Sequence, residues 1–450
     1  MKDFTKGKIA KQLLLFAVPM LIGNLFQQMY SVVDMIVVGR FVSGDALAAV
    51  GVSMSIAMFI VSVFIGLNTG ASILISQFFG AKDYDRLKKT VSVSIVVLLS
   101  ISVVIVIAVT PLVKPLLRLL NTNDDIFEDS VVYLRILTIG IFFPVIYNMY
   151  TAYLRALGDS RRPLYILIFA TIVNVVLDLF FVITLDMGVA GAAIATVIAQ
   201  TLAAVVCFVY ATRYVPLLRV NRLFFDGALA RLILKYGTPA ALQLSIVSFA
   251  QLTITRLINS FGSAAMAGIT AATRIDQFAI MPIQSISMAM ATFVAQNMGA
   301  DLEGRAQKGF RTALVYMVGC ALIMTALLLV FRQQLIALFV DYGDRSAPEI
   351  LRIGGEYLNI MVVFYFMFAF LFAFNGFLRG VGDAMMAMVF PVISLGTRTI
   401  SAYALVGFAG MGPEALSWSI PIGWAVSSFL SWVYYKKRLW VGKAATASKF

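Results

Sequence analysis

Two aspartates stand inside apolar runs of this sequence, Asp34 in Val-Val-Asp-Met-Ile-Val-Val and Asp178 in Asn-Val-Val-Leu-Asp-Leu-Phe-Phe. An ionisable side chain in a run that crosses a bilayer costs about 2.5 kcal/mol or more, so it calls for a reason. Asn174 precedes Asp178 by four residues, which on a helix puts it on the same face one turn away. Thr196, on the next apolar run, reaches the same depth. Two carboxylates, an amide oxygen and a hydroxyl form an all-oxygen set suited to a proton or to a small hard cation such as sodium. The alternative is structural pairing of the aspartates with a basic group such as Arg40. The other half of the chain has its own charges in apolar runs: Arg256, Arg274, Asp276 and Arg398. Three arginines and one aspartate suggest an ion-pair network, because an unpaired buried charge is costly. Contact with a substrate is the other role open to them, and Gln243 joins them as a candidate cavity residue. The chain has no histidine, and its two cysteines, Cys207 and Cys320, both lie in apolar runs. Imidazole and thiolate metal sites, disulfides and Ser-His catalysis are thereby excluded, and proton chemistry falls to carboxylates.

The elements that must position these groups follow from composition. Hydrophobic residues make up 61% of the chain and charged ones 13%, with a mean hydropathy of +0.93. A water-soluble chain of 450 residues needs far more charge to cover its surface, so the solvent around most of this one is lipid. Apolar stretches predict twelve transmembrane helices, near 12–39, 46–73, 90–113, 131–156, 163–184, 188–211, 231–260, 265–298, 311–331, 355–380, 385–407 and 413–435. Lys2, Lys6, Lys8 and Lys11 precede the first run, which contains Asp34 and has no small-residue cleavage site; it reads as an uncleaved span. With the N-terminus inside, the inner segments hold 25 of the 35 Lys and Arg residues and the outer segments hold 6, including Arg345. Both termini are then expected in the cytoplasm. The formal charge of +13 reads as topology and attraction to anionic lipid, with no nucleic-acid partner implied.

The halves repeat. Gln77-Phe-Phe-Gly-Ala81 returns as Gln296-Asn-Met-Gly-Ala300 at an offset of 219, and Arg86 and Lys89 return as Arg305 and Lys308. Leu154-Arg-Ala-Leu-Gly-Asp159 returns as Leu378-Arg-Gly-Val-Gly-Asp383 at an offset of 224, the change reflecting an insertion near 341–349. Six spans per copy make a parallel repeat, here read as two homologous six-helix lobes, 1–212 and 231–450, joined by a cytoplasmic linker at 213–230. Such lobes facing each other across a midplane cavity would be an alternating-access architecture. In the repeated Leu-Arg-x-x-Gly-Asp motif, Arg and Asp four apart can pair and the glycine permits a tight reversal into the next span. Gly66-Leu-Asn-Thr-Gly70 allows close helix approach. Pro19 and Pro239 occupy the same place in spans one and seven. The repeat is also an internal control: Asp34 corresponds to Ile254 or Thr253, Asn174 to Arg398, Asp178 to Ala402 and Thr196 to Ile420. The fold is duplicated and the oxygen cluster is not, which points to function.

Val18-Pro-Met20, Val33-Asp-Met-Ile-Val-Val-Gly-Arg40, Asn174-Val-Val-Leu-Asp178 and Gly188-Val-Ala-Gly-Ala-Ala-Ile-Ala-Thr196 resemble the multidrug and toxic compound extrusion (MATE) family. The likeness covers essentially the whole chain. It implies a multi-pass plasma-membrane exporter, acting as a monomer, that moves small amphiphilic and often cationic substrates against protons or sodium and needs no cofactor beyond that ion. In the DinF-like branch the coupling aspartate of span one, the Asn and Asp of span five and the Thr of span six fall on Asp34, Asn174, Asp178 and Thr196. The NorM-like branch carries acids on spans seven and ten; here span seven offers Gln243 and Gln251, and span ten has no acid below Glu356. A flippase for a lipid-linked saccharide shares the architecture and would line its cavity with arginines; Arg256, Arg274 and Arg398 fit that reading and the acids of the first half oppose it. An enzyme is not expected. Asp124-Asp125 with Glu128-Asp129 is faintly like a metal-binding prenyl-transfer motif, but falls in an extracellular loop, 114–130, off any helix.

Overall fold

The computed structural model describes residues 2–220, 222–340 and 346–444. Among them there are helices and turns and no strand. In chain order the α-helices are α1 (Ile9–Phe41), α2 (Gly44–Gly80), α3 (Tyr84–Leu119), α4 (Asp124–Ile139), α5 (Phe142–Ala156), α6 (Arg161–Asp178) and α7 (Gly188–Tyr214). They continue as α8 (Gly227–Asn259), α9 (Ser263–Gly299), α10 (Glu303–Ala337), α11 (Ala347–Val363), α12 (Tyr365–Val381), α13 (Ala384–Gly407) and α14 (Glu414–Lys436). A π-helical turn, Leu179–Thr184, continues α6 without a gap. Among the described residues nine helices, the π-turn counted with α6, are long and apolar enough to cross a membrane. The pairs α4–α5 and α11–α12 each make one more span, bent by 49° and 54° at a short break. Serine-bearing α14, with 23 residues, occupies the place of the twelfth expected span. The twelve expected spans are thus all present as an all-α polytopic membrane fold. Large apolar side chains such as Val104, Ile107, Phe249 and Ile400 stand exposed on these helices, as lipid-facing surface requires.

The chain divides into two compact units, Val18–Ala241 with residues 2–3, and Phe4–Ala17 with Leu242 onward. α1 passes from the second unit to the first beside Pro19, and α8 from the first to the second beside Pro239. Within the first unit, α2 meets the start of α8 so closely that a Cβ on Gly66 would lie 2.3 Å from the Ala241 nitrogen, and one on Gly70 would lie 2.5 Å from that of Gly237. The small-residue stripe acts there as the sequence suggests.

Two expectations need correction. The segment 114–130 is mostly helical: α3 runs to Leu119 and α4 begins at Asp124, with Asp124 and Asp125 in its first turn. Acids there complement the positive end of the helix dipole. The Arg-x-x-Gly-Asp motif does turn on its glycine, Gly158 and Gly382 having φ of +78° and +88°, but its Arg and Asp do not pair. Asp159 accepts from the backbone N–H groups of Arg161 and Arg162 and pairs with the Arg162 side chain at 3.2 Å. Asp383 accepts from the Met386 N–H and from the Tyr434 hydroxyl. Both acids cap the next helix, satisfying its orphan N–H groups. Arg379 instead donates to Gln243 at 3.1 Å. The inserted stretch near 341–349, with Arg345, lies partly outside the described residues.

Candidate functional site

The site in the first unit is assembled from pairs of residues one helical turn apart. α1 brings Tyr30 and Asp34, α6 brings Asn174 and Asp178, α7 brings Thr196 and Gln200, and α4 adds Tyr133. Asp34, Tyr133, Asn174 and Asp178 are each 0% exposed. Asp34 faces Asp178 and Tyr133, Asp178 faces Asn174, and Tyr30 faces Thr196 and Gln200. All four residues expected from the sequence therefore come together. Tyr30, Tyr133 and Gln200 were not expected.

The electrostatics of this cluster are unusual. Both oxygens of Asp34 and of Asp178, both polar atoms of Asn174, the hydroxyls of Tyr30, Tyr133 and Thr196, and Gln200 Oε1 are buried with no hydrogen-bond partner among the described residues. Asp34 makes no ion pair with Arg40, which is exposed. Two neighbouring carboxylates in a low-dielectric site cannot both stay charged without a partner, since the repulsion and the desolvation both oppose it. A shared proton or a monovalent cation resolves the conflict, and the neutral oxygens nearby complete a ligand set for one. Among the described residues no group of three or more His, Cys, Asp or Glu gathers here.

Local sequence explains the placement. Asp178 ends the regular part of α6 and the next six residues wind as a π-turn, in which only Val182 is buried. Such turns are rare and occur often at functional sites. Val182 packs with Val37, Val38, Val189 and the Tyr133 ring. Val37, Val38 and Val182 follow Asp34 and Asp178 by about one turn, and with Val189 of α7 they pack beside the polar cluster.

The second unit is different. Ile254, Ala402 and Ile420, at the positions matching Asp34, Asp178 and Thr196, are buried apolar side chains. Of the charges expected to form a network there, Asp276 and Arg398 face each other and Arg256 and Arg274 stand apart. Arg256 and Arg274 are exposed on α8 and α9 and make no ion pair among the described residues. Asp276 accepts a hydrogen bond from the Tyr365 hydroxyl at 2.7 Å and faces Arg398. Tyr357 lies beside both, and Arg398 Nε is buried without a hydrogen-bond partner. Gln243, offered by the sequence as a cavity residue, is engaged by Arg379.

Comparison with known proteins fits this architecture. The family model MatE matches residues 19–180 and again 239–404, once in each half. The chain is 30% identical to the probable multidrug resistance protein YpnP of Bacillus subtilis, over 97% of both chains. It is 23% identical to the multidrug export protein MepA of Staphylococcus haemolyticus, over 98% of this chain and 97% of that one. Among solved structures, a MOP superfamily transporter from Pyrococcus furiosus superposes with a TM-score of 0.89 at 25% identity, over 97% of each chain. An outward-facing multidrug resistance MATE family transporter shares the fold with a TM-score of 0.90 at 23% identity, again over 97% of each chain.

Proposed function

The chain belongs to the MatE family of membrane transporters, and on that footing we propose that it is a secondary active multidrug exporter of the DinF-like branch, exchanging amphiphilic and often cationic compounds for protons or sodium by alternating access. The observation that carries this reading is the buried carboxylate pair of the first unit, which has no basic partner and no counterpart in the second unit. Asp34 and Asp178 hold the ion, while Asn174, Thr196 and the tyrosine hydroxyls supply neutral oxygens around it. A loaded site carries one negative charge fewer. An unloaded one leaves two carboxylates in hydrocarbon, a state stabilised by opening to water or by a cationic substrate. Ion and substrate then favour different conformations, and each lowers the affinity of the other by the same factor.

In this reading residues 1–212 and 231–450 are the two homologous lobes, 213–230 is the cytoplasmic linker, both termini are cytoplasmic, and a monomer works in the plasma membrane. The flippase alternative is the weaker one. Its arginines should gather around a pyrophosphate, whereas Arg256 and Arg274 are exposed on other helices and Arg398 faces Asp276. The test is accumulation of a cationic dye in inside-out vesicles under separately imposed pH and sodium gradients. One of the two gradients should drive uptake, and Asp34→Asn should abolish it at normal expression. Gradient-driven uptake by Asp34→Asn equal to that of the parent protein would overturn the assignment.

A further inference from the structure

The two units share a framework at the level of the site. The break after α4 at Ile139 recurs after α11 at Val363, and Tyr133 recurs as Tyr357, all at the offset of 224. α2 and α9 match end to end at the offset of 219. In the first unit this framework surrounds an unpaired carboxylate pair. In the second, Arg398 stands at the position of Asn174 and Ala402 at that of Asp178, so one acid is gone and the space beside it is freed for a guanidinium. A single acid returns from a different helix: Asp276 on α9, where α2 has Ala57. Tyr133 faces an aspartate of the first unit, and Tyr357 faces Arg398 with Asp276.

Resting on the coupling role proposed above for the first unit, we propose that Arg398 is a tethered cation, occupying permanently in the second unit the place that an exchangeable proton or sodium takes in the first. Its charge balances Asp276, so this unit keeps the duplicated framework and loses the ion dependence. Arginine suits the task, because a guanidinium stays charged in proteins and cannot dissociate from the chain. A tethered charge inside a span is otherwise hard to account for, given what it costs there. The groups facing Asp276 are Tyr365 on α12, Arg398 on α13, Tyr357 on α11 and, one turn away on α9 itself, Thr273 beside Tyr357. α10, which also packs on α9, brings no charged group to it among the described residues.

The consequence is that removing the guanidinium should create a second ion site. The experiment follows the thermal unfolding midpoint of purified full-length protein across pH and sodium series, since a ligand that binds the native state raises that midpoint with its concentration. D34N/D178N should be nearly flat. Adding R398Q to it should restore a rise of roughly one to two degrees for each tenfold increase in proton or sodium activity. Adding R398K should not, because the ammonium keeps the charge, and adding R398Q together with D276N should flatten the response again. A folded D34N/D178N/R398Q protein with no ion response overturns the proposal. If R398Q variants fail to fold, recovery of folded protein on adding D276N supports it, and failure to recover overturns it. If D34N/D178N alone keeps its ion response, the coupling role of the first unit fails, and Arg398 is judged by itself: R398Q must then add to the parent protein a response that R398K does not.

Discussion

Neutralising Asp34 and Asp178 together should uncouple drug binding from the ion, and general electrostatics bounds the size of the effect. Two unit charges about 4 Å apart repel by about 4 kcal/mol at an effective dielectric constant of 20. The protein can divert only part of that repulsion into choosing between conformations, and couplings between sites are typically about 1–3 kcal/mol. The apparent affinity for a cationic drug should therefore fall about 5- to 150-fold as the coupling ion goes from absent to saturating. The sign is fixed: affinity falls as pH falls if the ion is a proton, and as sodium rises at constant pH if it is sodium. In D34N/D178N the dependence should shrink to less than about twofold, because no site is left to load. Ile254 and Ala402, the repeat counterparts, are buried among apolar groups, and changing them to apolar residues of similar size should alter stability and leave the ion dependence intact. The assay is equilibrium binding of a fluorescent cationic drug to purified protein across pH and sodium series. Full ion dependence in the double variant would place the coupling site elsewhere and refute the reasoning.

Three further outcomes are expected. In a cysteine-free background, a single cysteine at 123 should react with an impermeant thiol reagent applied to intact cells, while cysteines at 84 or 303 should not; labelling at 84 would reverse the orientation. Gly66→Leu would drive a side chain into the Ala241 backbone 2.3 Å away, so it should cost at least about 1–3 kcal/mol and lower the unfolding midpoint, whereas Gly51→Leu, with nothing within 4 Å of its Cβ, should not. Arg305→Ala removes donors to the Phe4 and Gly7 carbonyls and to Gln12 Oε1, so trypsin should cut at Lys6 or Lys8 faster in the folded variant than in the parent; equal rates would show that Arg305 does not hold the N-terminal segment.

Hydropathy alone placed all twelve spans within several residues, because a bilayer forces each crossing to be a long apolar helix whose backbone groups are satisfied internally. What it could not show was how far each helix continues into water. Asp124, Asp125 and Glu128 are polar enough to look like loop, yet acids favour the first turn of a helix, so α4 starts among them. Spacing also failed for Arg155 and Asp159, since Asp159 is spent on capping the next helix. For the site, charge in an apolar run found the two aspartates, and the i, i+4 rule found Asn174. The same rule, applied to Asp34 and Thr196, would have found Tyr30 and Gln200, which look at first like ordinary aromatic and amide residues of a span. Tyr133 carries no such signal, being brought in by packing of α4 against α7.

The duplication separates scaffold from mechanism more sharply than any single copy could. Features that serve folding occur twice: the capping aspartates Asp159 and Asp383, the left-handed glycines before them, the prolines at 19 and 239, and the broken spans. Among the described residues the carboxylate pair occurs once, and so does the π-turn. The stretch matching Leu179–Thr184 is residues 403–408, where α13 runs as regular helix to Gly407. A π-turn wastes backbone hydrogen-bond geometry, so selection for stability alone would tend to remove it. Its presence beside Asp178, and its absence beside Ala402, follow if the turn is what aims the end of α6 into the buried polar cluster. Beside Ala402 a regular helix suffices, and one turn back, at Arg398, the second unit carries a charge of its own.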